Sequence, residues 1–185
     1  MTTEELALEQ ATATSGSKKN QSFIDYIIDR CQGDNGVRAA LKRADNPATE
    51  YQSWEILAGF KVDLEYENQR LPYATIAAAI ARAKIEKNGV TKIGAAIARC
   101  YEDGNASDQA KAKLRRLLAC DSVPEACRIL RPLFSLIEAK GGVTLDYVQL
   151  LNDLLWFGHD DSQPRIKARW AQDFYGKSAA IGKDE

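Results

Sequence analysis

The 185-residue chain is poor in the residues that carry most enzyme chemistry. It has one histidine, His159, and four cysteines, Cys31, Cys100, Cys120 and Cys127, none of them in CxxC spacing. Cys120 and Cys127 stand seven apart, but a tetrahedral zinc site needs four ligands, so the set reads as buried, reduced thiols rather than a metal site or a disulfide. P-loop, GxGxxG, HExxH and calcium-loop patterns are all missing. A Ser–His–Asp or Cys–His site would have to use His159, which falls in a loop beside Asp160 and Asp161. Neither a catalytic constellation nor a metal or cofactor is expected, and the chain reads as non-enzymatic.

Strand formers are scarce as well. Six Val and eight Thr stand against 27 Ala and 17 Leu, and 12 Gly and five Pro give little punctuation. Ala and Leu lead the helix scale and Val and Thr favour strands, so the composition excludes an all-β sandwich and predicts an all-α fold. No apolar run reaches the roughly 18 residues that a membrane span needs. Residues 1–20 lack the apolar segment of a secretory signal, which with reduced thiols predicts a cytoplasmic protein. A chain this long buries roughly 70% of its unfolded surface and needs no staple to fold.

Helical periods, caps and glycine stops order the chain. Residues 1–20 are polar and predict a mobile tail; 178–185 predict another. Phe23, Tyr26, Ile27 and Ile28 stripe a first helix over about 22–31. The turn Gly33-Asp34-Asn35-Gly36 offers an N-cap for a second over about 36–44, ended by Asn46-Pro47. Thr49 is placed to cap a third, running through Tyr51, Trp54 and Leu57 to Phe60. An Ala-rich helix over about 71–86 has Pro72 in its first turn and stops at Asn88-Gly89; another covers about 92–102. Ser107 caps the next. Ser122 and Glu125 form a capping-box pattern for a helix that runs to Gly141-Gly142. Thr144 opens a segment with Leu145, Val148, Leu151, Leu155 and Trp156 as its buried stripe. The last helix starts at Ser162 and Pro164 and repeats Ile166, Trp170 and Phe174 every four residues. Short loops predict a helical N-terminal half over 21–106 and an antiparallel bundle over 107–177, about eight or nine helices in all.

Net charge is −1, but it is unevenly spread. Residues 45–69 carry six acids and one base, and residues 82–131 carry eleven bases and six acids. Lys84, Lys113, Arg116, Arg128 and Arg131 lie beside apolar stripes, where cations neutralise phosphates without reading bases. Ion pairing within a helix, as between Glu125 and Arg128, is the alternative use of such residues.

Four segments in order, FIDYIIDRCQGDNGVRAALKRA with a helix at Trp54 behind it, KLRRLLACDSVPEACRILRPLFSLI, LDYVQLLNDLLWFG and RWAQDFYG, resemble the CasB family over about 22–176. CasB is the small subunit of Cascade, the type I-E CRISPR surveillance complex. The resemblance implies an all-helical protein without known catalytic activity. Two copies would lie head to tail against the backbone subunits that hold the guide RNA, stabilising the target strand and the displaced strand of the R-loop. The implied partners are the other Cascade subunits, crRNA, both DNA strands and a second copy of the chain. The implied contacts are Lys42 and Arg43 in an ALRRA-like helix, Arg70 before the long helix, Lys113 and Arg131 in the central helices, and Arg165 and Lys167 opening the last. Ala119 stands where some relatives have arginine, and Arg115 or Arg116, one turn earlier, is placed to substitute. On this reading Lys42, Arg43 and Arg70 form one cluster and Lys113, Arg116, Arg131, Arg165 and Lys167 another, both exposed and poorly paired. A helical adaptor that meets only protein is the rival expectation.

Overall fold

A computed structural model describes the backbone of residues 3–176 and side chains from residue 16 onward. Among the described residues the fold is all-α, as composition predicts. Nine α-helices run α1 (Thr3–Gly33), α2 (Asn35–Leu41), α3 (Trp54–Gly59), α4 (Glu67–Ala83), α5 (Ile93–Arg99), α6 (Asp108–Leu118), α7 (Val123–Lys140), α8 (Tyr147–Trp156) and α9 (Gln163–Tyr175). Short 3₁₀ turns at Glu50–Ser53 and Gly104–Ala106 precede α3 and α6. The expected tail at 178–185 lies outside the described residues.

Several ends follow the caps in the sequence. Asp34 Oδ1 accepts the N–H groups of Gly36 and Val37 at 2.7 and 3.1 Å and starts α2. Ser107 Oγ accepts Ala110 N–H, and Ser122 Oγ accepts Glu125 N–H, both at 3.3 Å. The Glu125 carboxylate reaches back to Asp121 N–H at 3.0 Å, one residue before the cap.

Other ends differ. The first helix begins at Thr3, where a mobile tail was expected, and reaches Gly33. Ala, Leu and Glu resist helix formation least, so the backbone continues beyond the stripe that packs. Thr49 turns its hydroxyl to the Arg43 carbonyl and caps nothing. Helix α4 starts at Glu67, because Asp63 Oδ1 accepts the N–H groups of Glu65 and Tyr66 and turns the chain into it. Pro72 therefore lies in its second turn, and α4 ends at Ala83 with Lys84 left-handed. Asn88 and Gly89 do something else. Gly89 N–H donates to Leu145 C=O at 2.9 Å, and Asp146 N–H to Thr91 C=O at 2.9 Å, a single parallel bridge between two loops. A Cβ on Gly89 would fall 2.1 Å from the Thr144 oxygen, so the close approach requires glycine. Asp146, not Thr144, caps α8, accepting Gln149 N–H at 3.1 Å.

The helices share one core. Helix α4 is buried from Pro72 to Ala81. Its small side chains let α7 and α8 close on it, while α5 packs on α9 and α1 on α8. Gly94 lies against α9, where a Cβ would stand 2.1 Å from the Trp170 carbonyl oxygen. The main contacts of α7, α8 and α9 are thus with helices before residue 106, and the packing does not divide at the expected boundary. Ile166, Trp170 and Phe174 are buried as predicted, and so are all four cysteines. Trp156, expected inside, is 47% exposed; Leu150, Leu154 and Phe157 fill the core beside Leu145 and Leu151.

Candidate nucleic-acid interface

Basic side chains gather at two places. The first is a cleft of about 370 Å³ whose lining includes Arg70, Arg128, Arg131, Asp45, Glu50 and Glu67. Helix α4 supplies Arg70, α7 supplies Arg128 and Arg131, and the turns after α2 supply Asp45 and Glu50. Asp45 has its side chain 3% exposed and sits between two guanidinium groups: Arg131 Nε at 3.6 Å, and Arg82, which binds it by two nitrogens. Arg82 also donates to the Lys42 carbonyl at 2.9 Å. Arg70 Nη1 donates to the Leu64 carbonyl at 2.6 Å and its Nε stands 3.5 Å from Glu50.

This arrangement corrects the expected grouping. Arg70 and Arg131, assigned to separate clusters, line one cleft. Each stands in ion-pair range of a carboxylate without a hydrogen bond to it, and the Arg70 side chain is 18% exposed and that of Arg131 46%. A buried carboxylate such as Asp45 needs compensating cations, and the nearby arginines provide them. Arg43 is exposed and donates to Gln52 Oε1 at 3.1 Å, and Lys42 is half-buried. Cys127 also lines the cleft, where burial pushes its thiol up to about 12 against the weaker effect of a Thr75 hydrogen bond. A thiol so shifted is not a nucleophile near neutral pH.

The second place is the junction of α6, α7 and α9. Gln163 Nε2 donates to the Asp121 carbonyl at 3.1 Å, and Lys167 Nζ lies 3.3 Å from the Asp121 carboxylate and 5.7 Å over the Phe157 ring. These contacts hold the first turn of α9 against the 119–122 loop. Arg165 is exposed on that turn. On α6, Lys113 is half-buried and Arg116 exposed one turn later; Ala119 is at the helix end, with Arg115 and Arg116 just before it. Lys167 is the paired member, its side chain 21% exposed. Among the described residues no carboxylate pairs with Lys42, Arg43, Lys113, Arg116 or Arg165.

Arg82 and Asp45 were not among the sequence candidates, since 37 residues separate them and no local spacing signals the pair. The same holds for Asp153. It is buried and accepts from Gln149 at 2.8 Å, from Trp170 Nε1 at 2.7 Å and from Arg169. His159 is exposed, its ring 5.0 Å from that of Trp156. No cluster of three or more His, Cys, Asp or Glu able to hold a metal ion occurs among the described residues.

A helical chain with paired and unpaired cations over several helices matches a known family model. Residues 37–175 match the model of the CRISPR-associated protein Cse2. The chain belongs to the Cse2 family. The fold agrees. A Cse2-family protein of Thermus thermophilus is 23% identical, with a TM-score of 0.66 over 85% of this chain and 97% of that one. CasB of M. ruber is 22% identical, with a TM-score of 0.67 over 85% and 92%. A chain in a structure described as a CRISPR RNA-guided surveillance complex is 20% identical, with a TM-score of 0.66 over 86% and 92%. No curated protein sequence matches. Among the described residues no helix of this Cse2-family chain is long and apolar enough to cross a membrane.

Proposed function

We propose that this Cse2-family chain is a non-catalytic small subunit of a CRISPR RNA-guided surveillance complex of the Cascade type, and that it stabilises the R-loop through its basic surface. The observation that carries the reading is the family match over 37–175, joined to the likeness to a chain from such a complex. The chemistry is compatible: no carboxylate among the described residues pairs with Lys42, Arg43, Lys113, Arg116 or Arg165, which would neutralise phosphates without reading sequence. Arg70, Arg131 and Lys167 already hold carboxylates, so they contribute less per residue and chiefly position the loops that carry the others. That pairing is also what favours the adaptor reading, in which protein contact is the whole function.

A salt series separates the two. Lys42→Glu with Arg43→Glu forms one set and Lys113→Glu, Arg116→Glu and Arg165→Glu the other, each assayed for target binding by the assembled complex. Every phosphate deprived of its cation makes the negative slope of log affinity against log salt shallower by about 0.7 for a single strand. Normal assembly with unchanged affinity and slope in both sets would leave the adaptor reading in its place.

A further inference from the structure

Helix α3 and the 3₁₀ turn before it are apolar on two sides. Ser53, Ile56 and Leu57 are buried, with the Tyr26 hydroxyl 3.5 Å from the Ile56 carbonyl and Phe60 packed on Phe23 and Tyr26. The core-facing side is therefore complete. On the other side Tyr51 is 61% exposed and Trp54 38%, followed by exposed Glu55 and Ala58. Positions 51, 54, 55 and 58 follow the i, i+3, i+4, i+7 spacing of a single helix face. Arg70 ties Glu50 to the Leu64 carbonyl, and Tyr66, two residues further on, is 57% exposed.

Large aromatics left in water beside a finished core are what a protein interface uses as anchors. The charges around them select the occupant. Glu55, Asp63 and Glu65 are exposed on these segments, and Glu67 is shared with the cleft of Arg70; the exposed cations are Lys61 and, at the edge beside Gln52, Arg43. A phosphate backbone is repelled there. Arginine and lysine side chains are attracted twice, by the carboxylates and by the faces of the aromatic rings.

We propose that the face formed by Tyr51, Trp54, Glu55 and the 63–67 loop docks an arginine- and lysine-bearing segment of another protein subunit. The proposal rests on the reading of this chain as a subunit of a larger complex only for who supplies that segment.

The test uses the full chain, with Tyr51→Ala plus Trp54→Ala as one variant and Glu55→Lys plus Glu65→Lys as the other. The probes are a fluorescent arginine–glycine repeat peptide and a labelled oligothymidine, read by anisotropy. The expected result is peptide affinity lowered about fivefold by loss of the two rings, and further by the charge reversal, with thermal midpoint and oligothymidine affinity unchanged by the ring variant. Unchanged peptide affinity in both variants overturns the proposal. So does a fall in oligothymidine affinity with the ring variant, which makes nucleic acid the occupant. Incorporation of both variants into the assembled complex at wild-type level overturns the assignment of the face to a subunit contact. An unchanged salt slope in the two basic-surface sets counts against the R-loop reading and leaves this one standing.

Discussion

Asp146 concentrates four jobs in one carboxylate residue. It caps α8 through Gln149 N–H, accepts from the Asn88 amide at 3.0 Å, pairs with Lys92 Nζ at 2.6 Å, and stands in the bridge between two loops. Burial pushes its pKa up, but Lys92, Asn88 and Gln149 outweigh burial and hold the carboxyl below the usual carboxylate range. A depressed folded pKa means stability that is full above the unfolded value, about 3.9, and is lost as pH falls through the folded value. Asp146→Asn keeps a capping residue and removes the charge. It should cost about 1 kcal/mol at neutral pH, since the Lys92 side chain is 41% exposed and solvent screens the pair. Urea denaturation of both proteins at pH 7 and near pH 2 checks the sign: the gap should close in acid. Asn88 and Gly89 were legible in the sequence as a break, but their partner loop was not, because 58 residues separate Asn88 from Asp146. The candidate cations were legible as charge. Which were already neutralised was not, since Asp45 and Glu50 reach Arg131 and Arg70 only after folding.

Among the helices, α5 depends closely on fit. It has only seven residues, too few to be stable alone in water, and it is held by the contact of its small residues with α9. Gly94→Ala would set a methyl 2.1 Å from the Trp170 carbonyl oxygen and 2.7 Å from the Phe174 nitrogen, both backbone atoms that cannot swing aside. The expected cost is about 2 kcal/mol, at the middle of the range for overpacking, where helix propensity alone predicts a gain. Thermal unfolding by circular dichroism decides between the two signs. Helix α3 shows the limit of periodicity. Tyr51, Trp54, Leu57 and Phe60 fit a helical spacing, yet the buried side runs through Ser53, Ile56 and Leu57. A short helix with apolar residues on both sides does not say which side meets the core; α1 and Phe60 decide it by occupying one of them.

The molecule as a whole carries one core across residue 106. Helix α4 lies against α7 and α8, α5 against α9, and α1 against α8. A fragment of residues 107–176 would expose the faces of α7, α8 and α9 that these helices cover. It should show no cooperative thermal transition, and mixing it with 21–106 should restore one. A fragment that unfolds cooperatively by itself would show a self-sufficient bundle after all.

Composition alone determined that this chain is helical, because propensity sums over many residues and Ala and Leu dominate them. Caps such as Asp34, Ser107 and Ser122 determined several helix starts, because a cap acts within three residues of itself. The order of four motifs carried the family. Tertiary structure decided what depends on contact between distant segments: that Arg70 and Arg131 share a cleft, that Asp45 lies between Arg82 and Arg131, and that Trp54 faces water. Charge and side-chain type are properties of the chain, but pairing and exposure are properties of its neighbours. Those neighbours come together only when the helices pack.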